Sequence, residues 1–292
     1  MDTSKLMYRD GLMKDERILV TGGGTGLGKE MAEGFLKLGA EVHICGRSGG
    51  VCEETAKELM DKHGGKVVPH ACDIRVAEAI TDMNDGIWAK HGPLTGLVNN
   101  AAGNFISRTE DLSIRGFDAI ANIVFRGTFY MTHDIGTRWI KGGTRGNVIS
   151  ILTTWVWNGG PFVVPSAMSK AAVNTMTQSL AVEWARYGLR FNAIAPGPFP
   201  TKGAWERLLP GDLAEKFDLS KKVPLRRVGD HQELANLAAY LVSDFSAYVN
   251  GEVMTIDGGE WLEGAGQFNL LQDIPEELWD QLEAMVKAKR SK

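Results

Sequence analysis

One segment of the sequence has residue types and spacing suited to binding a phosphate. The apolar run 18–20 leads into Thr21-Gly22-Gly23-Gly24-Thr25-Gly26-Leu27-Gly28, and a helical pattern follows. Glycines allow backbone conformations closed to other residues, and the first turn of a helix presents free N–H groups at its positive dipole end. Glycine-rich turns also close ordinary surface loops, but here a second strand pattern at 41–46 completes a strand–helix–strand unit. The unit predicts dinucleotide binding by Gly22, Gly23, Gly24, Thr25, Gly26 and Leu27.

The residues that directly follow the next strands extend this predicted site. In a parallel sheet, ligands bind beyond the carboxyl ends of the strands. Arg47 and Ser48 follow the second strand, where no carboxylate is present to hold a ribose 2′-hydroxyl. The permanently charged guanidinium of Arg47 suits a 2′-phosphate, which favours NADPH over NADH, although Arg47 is alternatively a surface charge. Asp73 follows the third strand, where it would accept from an adenine amino group, and Asn100 and Ala101 follow the fourth, beside small residues.

Strand and helix patterns alternate along the chain, which indicates an α/β fold with a parallel sheet covered on both faces. After the second strand, further strands are predicted at 66–72, 94–98, 146–152, 189–195 and 253–256. Helices are predicted at 29–38, 51–63, 76–90, 113–141, 166–187, 231–241 and 275–289. A loop that looks mobile follows the strand at 189–195. The chain has 292 residues, 43% apolar content and no linker-like run, and its simplest interpretation is one domain.

Composition argues against several classes of partner. The net charge is −4 with the signs interspersed, so no basic face predicts nucleic-acid binding. No apolar run reaches membrane-spanning length, and acidic residues occur among the first sixteen residues, where a targeting peptide would avoid them. We therefore expect a cytoplasmic protein without a membrane partner. Cys45, Cys52 and Cys72 lack metal-ligand spacing and the six histidines are scattered, so the sequence predicts no metal site.

Four ordered motifs resemble those of the short-chain dehydrogenase/reductases. They are Thr21-Gly22-x-x-x-Gly26-x-Gly28, Asp73, Asn99-Asn100-Ala-Ala-Gly103 and Pro196-Gly197-x-x-x-Thr201. The resemblance implies a single Rossmann-type, doubly wound α/β domain over residues 1–292, with a sheet of about seven parallel strands. It implies a substrate loop at about 196–220, a C-terminal extension at about 260–292 and, usually, a homotetramer. It also implies a nicotinamide cofactor that transfers hydride, with further cofactor contacts from Pro196, Gly197, Phe199 and Thr201.

The catalytic centre departs from the common pattern of that family. The family's acid is a tyrosine four residues before a lysine, whereas here Ser166 stands four residues before Lys170. The family's serine is replaced by Thr153 and its relay asparagine by Val124. A serine hydroxyl is a far weaker acid than a phenol, so ordinary ketone or alcohol chemistry is disfavoured. Lys170 keeps the expected role of holding the cofactor ribose.

A narrower resemblance is to the 2,4-dienoyl-CoA reductases of the mitochondrial type. It rests on Phe162-Val-Val-Pro-Ser166-Ala-Met-Ser-Lys170, on Asn100-Ala-Ala-Gly-Asn104-Phe105-Ile-Ser107 and on Pro198-x-x-Thr201-Lys202-Gly203-Ala204. That branch also has a serine in place of the usual tyrosine, and it delivers hydride to a conjugated enoyl thioester. The resemblance makes Lys170, Ser166 and Asn104 the catalytic residues. Asn104 and Ser166 would stabilise the thioester oxygen as charge develops on it.

Trp155 stands where that branch has its own acid, a tyrosine fifteen residues before the lysine. An indole N–H donates a hydrogen bond but cannot supply a proton. A water relayed through Ser166 or Thr153 is one source of the proton, and loss or redirection of activity is the alternative. The resemblance places substrate contacts at Arg75, Phe105, Ser113, Trp155 and Arg207. The two arginines would meet CoA phosphates or else lie on a solvated face.

Three hypotheses about function follow. The first is an NADPH-dependent reductase of unsaturated acyl-CoA thioesters, specifically a 2,4-dienoyl-CoA reductase. The second is a short-chain oxidoreductase for another enoyl or carbonyl substrate, with a pocket adapted by Trp155. The third is a non-catalytic NADP-binding protein that kept the fold and lost its acid. All three take NADPH/NADP as cofactor, and the first predicts an acyl-CoA partner.

Overall fold

Seven short segments, most of them buried, pair side by side into one parallel sheet. In the computed structural model, which describes residues 10–201, 218–264 and 266–290, these strands have the order β3-β2-β1-β4-β5-β6-β7. Their bounds are β1 Arg17–Thr21, β2 Glu41–Gly46, β3 Lys66–Ala71, β4 Gly96–Asn99, β5 Gly146–Ile151, β6 Leu189–Pro196 and β7 Val253–Ile256. Every residue of β4 and β5 is buried, as expected for central strands that are covered on both faces.

Helices cover both faces of this sheet. They are α1 Gly26–Lys37, α2 Gly49–His63, α3 Ala77–His91, α4 Ile114–Ala121, α5 Thr128–Gly142, α6 Trp155–Asn158, α7 Val164–Glu183, α8 His231–Val242, α9 Glu260–Glu263 and α10 Glu276–Arg290. Apolar residues of α1, α2 and α8 form the core on one face, and those of α3, α5 and α7 form the core on the other. None of the described helices combines the length and apolar composition needed to cross a membrane.

The topological switch point of the sheet lies between β1 and β4, and it locates the ligand crevice. From β1 the chain adds β2 and β3 on one side, then returns to add β4 to β7 on the other. The loops that leave the carboxyl ends of β1 and β4 therefore diverge and leave a crevice between them. This confirms the predicted Rossmann-type, doubly wound α/β fold with seven parallel strands.

The helix predicted at about 113–141 is present, but it is not α-helical throughout. The chain forms α4, then a π-helical segment Asn122–Gly127, and then α5. A Cβ at Gly127 would lie 2.8 Å from Ile74 Cγ1, so this glycine allows the segment to approach the loop after β3 closely. Apolar periodicity continues through such a wide turn, which is why the sequence pattern did not reveal it. The pattern also missed the single turn of α6.

The predicted substrate loop at about 196–220 is described only in part. Residues 196–201 and 218–220 belong to the described structure, whereas Lys202, Gly203, Ala204 and Arg207 lie outside it. The predicted substrate contact of Arg207 therefore stays a prediction.

Candidate active site

The glycine turn after β1 has the backbone conformation that its sequence predicts. Gly22 and Gly26 have φ angles of +65° and +53°, in the left-handed region that favours glycine. A Cβ at Gly28 would lie 2.4 Å from the Gly22 carbonyl oxygen and 2.5 Å from Asn100 Nδ2. Thr25 is the N-cap residue of α1, but its side chain accepts no capping hydrogen bond. The first-turn N–H groups are thus left without a side-chain cap, as an anion site requires.

Thr21 and Asn100 join the glycine turn to the carboxyl end of β4. Thr21 Oγ1 accepts hydrogen bonds from the backbone N–H groups of Asn100 and Ala101, each at 3.0 Å. The Asn100 side chain donates back through Nδ2 to the Thr21 carbonyl at 3.0 Å. The predicted cofactor residues Asn100 and Ala101 therefore lie beside the turn. Sequence reasoning gave Thr21 no role of its own, although it opens the quoted motif.

Positive charge predominates beyond the ends of β2 and β3. Arg47 and Ser48 are exposed, and among the described residues Arg47 forms no ion pair or hydrogen bond. Both carboxylate oxygens of Asp73 accept from Arg75, at 2.9 Å from its Nε and 2.5 Å from its Nη2. The Arg75 guanidinium holds the pKa of Asp73 below its usual value, with a smaller contribution from the charge of Arg47. Arg75 thus neutralises the nearby carboxylate, and the guanidinium of Arg47 remains available to a ligand.

The segment that follows β6 returns to the glycine turn. The Thr201 side chain lies over it, with Oγ1 3.5 Å from where a Cβ at Gly26 would be. Gly197 packs on Asp257, whose Cβ would be 2.6 Å from a Cβ at position 197. Phe199 is only 8% exposed and belongs to the apolar core with its neighbours. Thr201 therefore lies beside the glycine turn, whereas the Phe199 side chain packs inward. The cofactor contacts of Pro196 and Gly197 stay predictions.

Ser166 and Lys170 lie one helical turn apart at the start of α7, so their side chains share a face. Both are buried, at 5% and 8% exposure. The Lys170 ammonium donates to the carbonyl of Ile151, the last residue of β5. Burial lowers the pKa of Lys170 to about 8. The Ser166 hydroxyl forms no hydrogen bond with the rest of the described chain, so it is available to donate to a ligand.

Trp155 opens α6, which lies between β5 and α7 along the chain. Its indole ring packs over Gly160, where a Cβ would lie 3.2 Å from Trp155 Cγ. Nearby, Trp157 is 42% exposed and stacks edge to face on Trp261 with ring centroids 5.2 Å apart. Of the tyrosines that the structure describes, none lies in the segments 99–105 or 151–170 that carry the site.

The loop after β4 carries the other polar donor. Asn104 Oδ1 accepts from the Phe105 backbone N–H at 2.9 Å, which leaves the Asn104 Nδ2 amide group as the end that can donate. Ser113 Oγ caps α4 by accepting from Gly116 N at 3.0 Å, and the Phe105 ring lies 3.3 Å from where a Cβ at the same glycine would be. Ser113 therefore has a structural partner, although it was predicted to contact substrate.

The same loop is joined to the segment before α7. Ser107 N donates to the Phe162 carbonyl at 2.9 Å. Phe162 has a φ angle of +65°, which is a strained conformation for an aromatic residue, and its side chain is 53% exposed. Strain of this kind persists only where surrounding contacts hold it. No sequence pattern indicated this link, which joins the loop that carries Asn104 to the segment that precedes Ser166.

Comparisons with known proteins identify the family of this chain. A family model described as enoyl-(acyl carrier protein) reductase matches residues 22–260. A Caenorhabditis elegans protein named "Probable 2,4-dienoyl-CoA reductase 3 [(3E)-enoyl-CoA-producing]" is 42% identical over 98% of this chain and 94% of its own length. A Bacillus subtilis protein named "Probable 2,4-dienoyl-CoA reductase [(2E)-enoyl-CoA-producing]" is 40% identical over 86% of this chain and 98% of its own.

A solved structure of a short chain dehydrogenase is also similar to this chain. The crystal structure of a short chain dehydrogenase from Bacillus anthracis superposes with a TM-score of 0.78 at 43% sequence identity, covering 87% of this chain and 99% of that one. The glycine turn, the strand order and the sequence similarity over most of the chain lead to one conclusion. The chain belongs to the short-chain dehydrogenase/reductase family, within the group that the enoyl-(acyl carrier protein) reductase model describes.

Proposed function

We propose that this protein is an NADPH-dependent 2,4-dienoyl-CoA reductase. The observation that carries the proposal is the pair Ser166 and Lys170 on one face of α7, with Asn104 on the adjoining loop and no tyrosine in the described segments that form the site. This arrangement offers hydrogen-bond donors to an oxyanion but lacks the phenol that ordinary ketone reduction uses. The names of the relatives with 40% and 42% identity support the same substrate class.

The described residues fit a phosphorylated nicotinamide dinucleotide. The start of α1 has no side-chain cap, so its N–H groups can donate to a pyrophosphate. Gly28 packs closely on Gly22 and has no side chain that would disturb this turn. Arg47 would bind the ribose 2′-phosphate, since no carboxylate follows β2 and Asp73 is already paired. Lys170 would donate to the hydroxyls of the nicotinamide ribose. The cofactor, when bound, supplies the hydride.

Asn104 and Ser166 would act on the substrate's thioester oxygen. Hydride addition to the far end of the diene leaves negative charge shared with that oxygen, and two neutral donors would stabilise it. Asn104 can donate through Nδ2, because its Oδ1 is occupied by the Phe105 N–H. The Ser166 hydroxyl, buried and without another partner among described residues, is the second donor. Protonation of the dienolate at its α carbon gives a 3-enoyl product, and protonation at its γ carbon gives a 2-enoyl product.

Trp155 supports a second candidate, a non-catalytic NADP-binding protein. The indole cannot supply the proton that the dienolate needs. In the enzyme hypothesis, a water relayed by Ser166 or Thr153 supplies it, and losing a positioned acid typically lowers the rate by about 10²–10⁴-fold. We therefore expect slow turnover rather than none.

An assay of NADPH oxidation with dienoyl-, enoyl- and ketoacyl-CoA substrates tests the proposal. We expect slow oxidation with the dienoyl thioester and none with the ketoacyl thioester, and NMR of the product would locate the remaining double bond. Turnover only with the enoyl or ketoacyl substrate would instead support another oxidoreductase. Tight NADPH binding without turnover of any thioester would support the non-catalytic candidate.

Trp155→Tyr tests the assignment of the missing acid. If the tyrosine hydroxyl reaches the substrate, turnover of the dienoyl thioester should rise by about 10²-fold or more, with little change in NADPH affinity. Trp157→Tyr is the matched control, because it makes the same change two residues away on the same short helix. A native protein that is already fast and is slowed by Trp155→Tyr would show that the acid lies elsewhere.

Self-association is a further part of the proposal. Phe129 on α5 and Met168 and Val182 on α7 expose 44%, 56% and 82% of their surface, so apolar area on these helices is free to pack against another copy. We expect light scattering to give the mass of four 31.8 kDa chains. A mass of one chain at micromolar concentration would contradict the predicted homotetramer.

A further inference from the structure

A cluster of ionisable side chains lies between β2, β3 and the end of α3, away from the cofactor crevice. Glu41 and His43 alternate on β2 and so point to the same face of the sheet. His70 is on β3, and His91 is the last residue of α3. Glu41, His43 and His91 lie towards the amino ends of the strands, whereas the glycine turn follows a carboxyl end.

Three of these side chains direct ligand atoms to one point. Glu41 Oε1 is 3.1 Å from His43 Nε2 and 2.6 Å from His91 Nδ1, and all three ligand atoms lie within 4.8 Å of one another. Tetrahedral ligands of zinc, each at about 2.0 Å from the metal, are about 3.3 Å apart. The two separations from Glu41 Oε1 are shorter than this value and the third is at most 4.8 Å, so small side-chain rotations would bring the three atoms to three corners of a tetrahedron.

The Lys66 ammonium lies beside these ligand atoms, and a metal ion could take its place. Lys66 Nζ lies 3.0 Å from Glu41 Oε1 and 3.0 Å from His91 Nδ1. His91 Nδ1 cannot donate to the carboxylate and accept from the ammonium at once, so one of these close contacts has no hydrogen bond. The Lys66 side chain is 53% exposed and can turn into solvent. We propose that Glu41, His43 and His91 form a binding site for a divalent transition-metal ion such as Zn²⁺, which replaces the Lys66 ammonium.

A second hydrogen bond orients the buried ligand. His43 is 0% exposed, and its Nδ1 lies 2.9 Å from His70 Nε2. With the metal on Nε2, His43 would donate its Nδ1–H to His70, which is the supporting contact that metal-bound histidines usually make. Two imidazoles and one carboxylate suit Zn²⁺, whereas Ca²⁺ and Mg²⁺ prefer oxygen ligands alone. The ion would fix the end of α3 to β2.

Metal titration of the full-length, chelator-treated protein tests this site. Isothermal titration with Zn²⁺ should give one ion per chain, and Co²⁺ should give visible bands without a sulfur-to-metal transition. Glu41→Gln and His91→Ala should abolish stoichiometric binding, and His70→Ala should weaken it by about 10–100-fold. Lys66→Met should tighten it about tenfold or more, because it removes the competing ammonium. His133→Ala, which removes an exposed imidazole on α5, is the control and should change nothing.

Several results would overturn the site. Absence of stoichiometric binding to both the native protein and Lys66→Met would do so, as would binding that survives Glu41→Gln. A sulfur-to-cobalt band would place the ion on the buried thiols of Cys45 and Cys72 instead. Circular dichroism checks that each variant folds, and Glu41→Gln keeps the side-chain size should His91→Ala unfold the chain. None of these measurements depends on turnover, so failure of the proposed function would leave the outcome unaffected.

Discussion

Replacing Arg47 with alanine should remove most of the preference for NADPH over NADH. Arg47 is the exposed guanidinium after β2, without a partner in the described parts of the chain. The Asp73 carboxylate at this end of the sheet is paired with Arg75 and so does not compete for Arg47. Two guanidinium groups against one carboxylate leave a net positive charge for the 2′-phosphate. A charge-assisted contact of about 1.5–3 kcal/mol corresponds to about ten- to a hundredfold in affinity.

Fluorescence titration with each cofactor measures this preference. We expect Arg47→Ala to lower NADPH affinity by that factor and to leave NADH affinity nearly unchanged. The ionic-strength dependence of NADPH binding should also become weaker, since one phosphate contact is lost. Arg186→Ala is the control, because it removes an exposed arginine that stacks on Tyr187 just before β6, at the opposite end of the strands.

A second variant tests whether pairing of Asp73 with Arg75 is needed for Arg47 to bind the 2′-phosphate. Arg75→Ala would free the Asp73 carboxylate, which should then repel the 2′-phosphate or pair with Arg47. We expect NADPH affinity to fall in this variant also, by less than in Arg47→Ala. Equal affinities of the native protein for NADPH and NADH, or a preference that survives Arg47→Ala, would refute the reasoning.

Three further variants test the cofactor crevice. Burial lowers the pKa of Lys170 to about 8, so the ammonium is lost as the pH rises through 8 and NADPH affinity should fall above that pH. Lys170→Met should bind NADPH weakly at every pH, and titrations at several pH values would measure both effects. Gly28→Ala should abolish NADPH binding, because its Cβ would lie 2.4 Å from the Gly22 carbonyl oxygen; unchanged binding would contradict the turn geometry. Thr21→Val leaves the Ala101 N–H without its acceptor and the Asn100 N–H with only the Val98 carbonyl, and it should lower the free energy of unfolding by about 1–3 kcal/mol, measured by urea denaturation.

Local patterns in the sequence were enough to predict most of the fold. Apolar strand segments separated by helical periodicity gave the seven parallel strands, and the glycine spacing gave the turn between β1 and α1. Both depend on residues close together in the chain. The same holds for Ser166 and Lys170, whose spacing of one helical turn fixes a shared face as soon as α7 forms. Trp155 was likewise identified from spacing, although the short helix that carries it was not.

The tertiary structure alone decided which distant side chains meet. Pairing of β2 with β3 and packing of α3 bring Glu41, His43, His70 and His91 together, although the sequence shows only scattered histidines. Strand pairing also brings the Thr21 hydroxyl to the backbone after β4. Contacts between residues about fifty or eighty positions apart depend on strand order and helix packing, which local residue patterns do not encode.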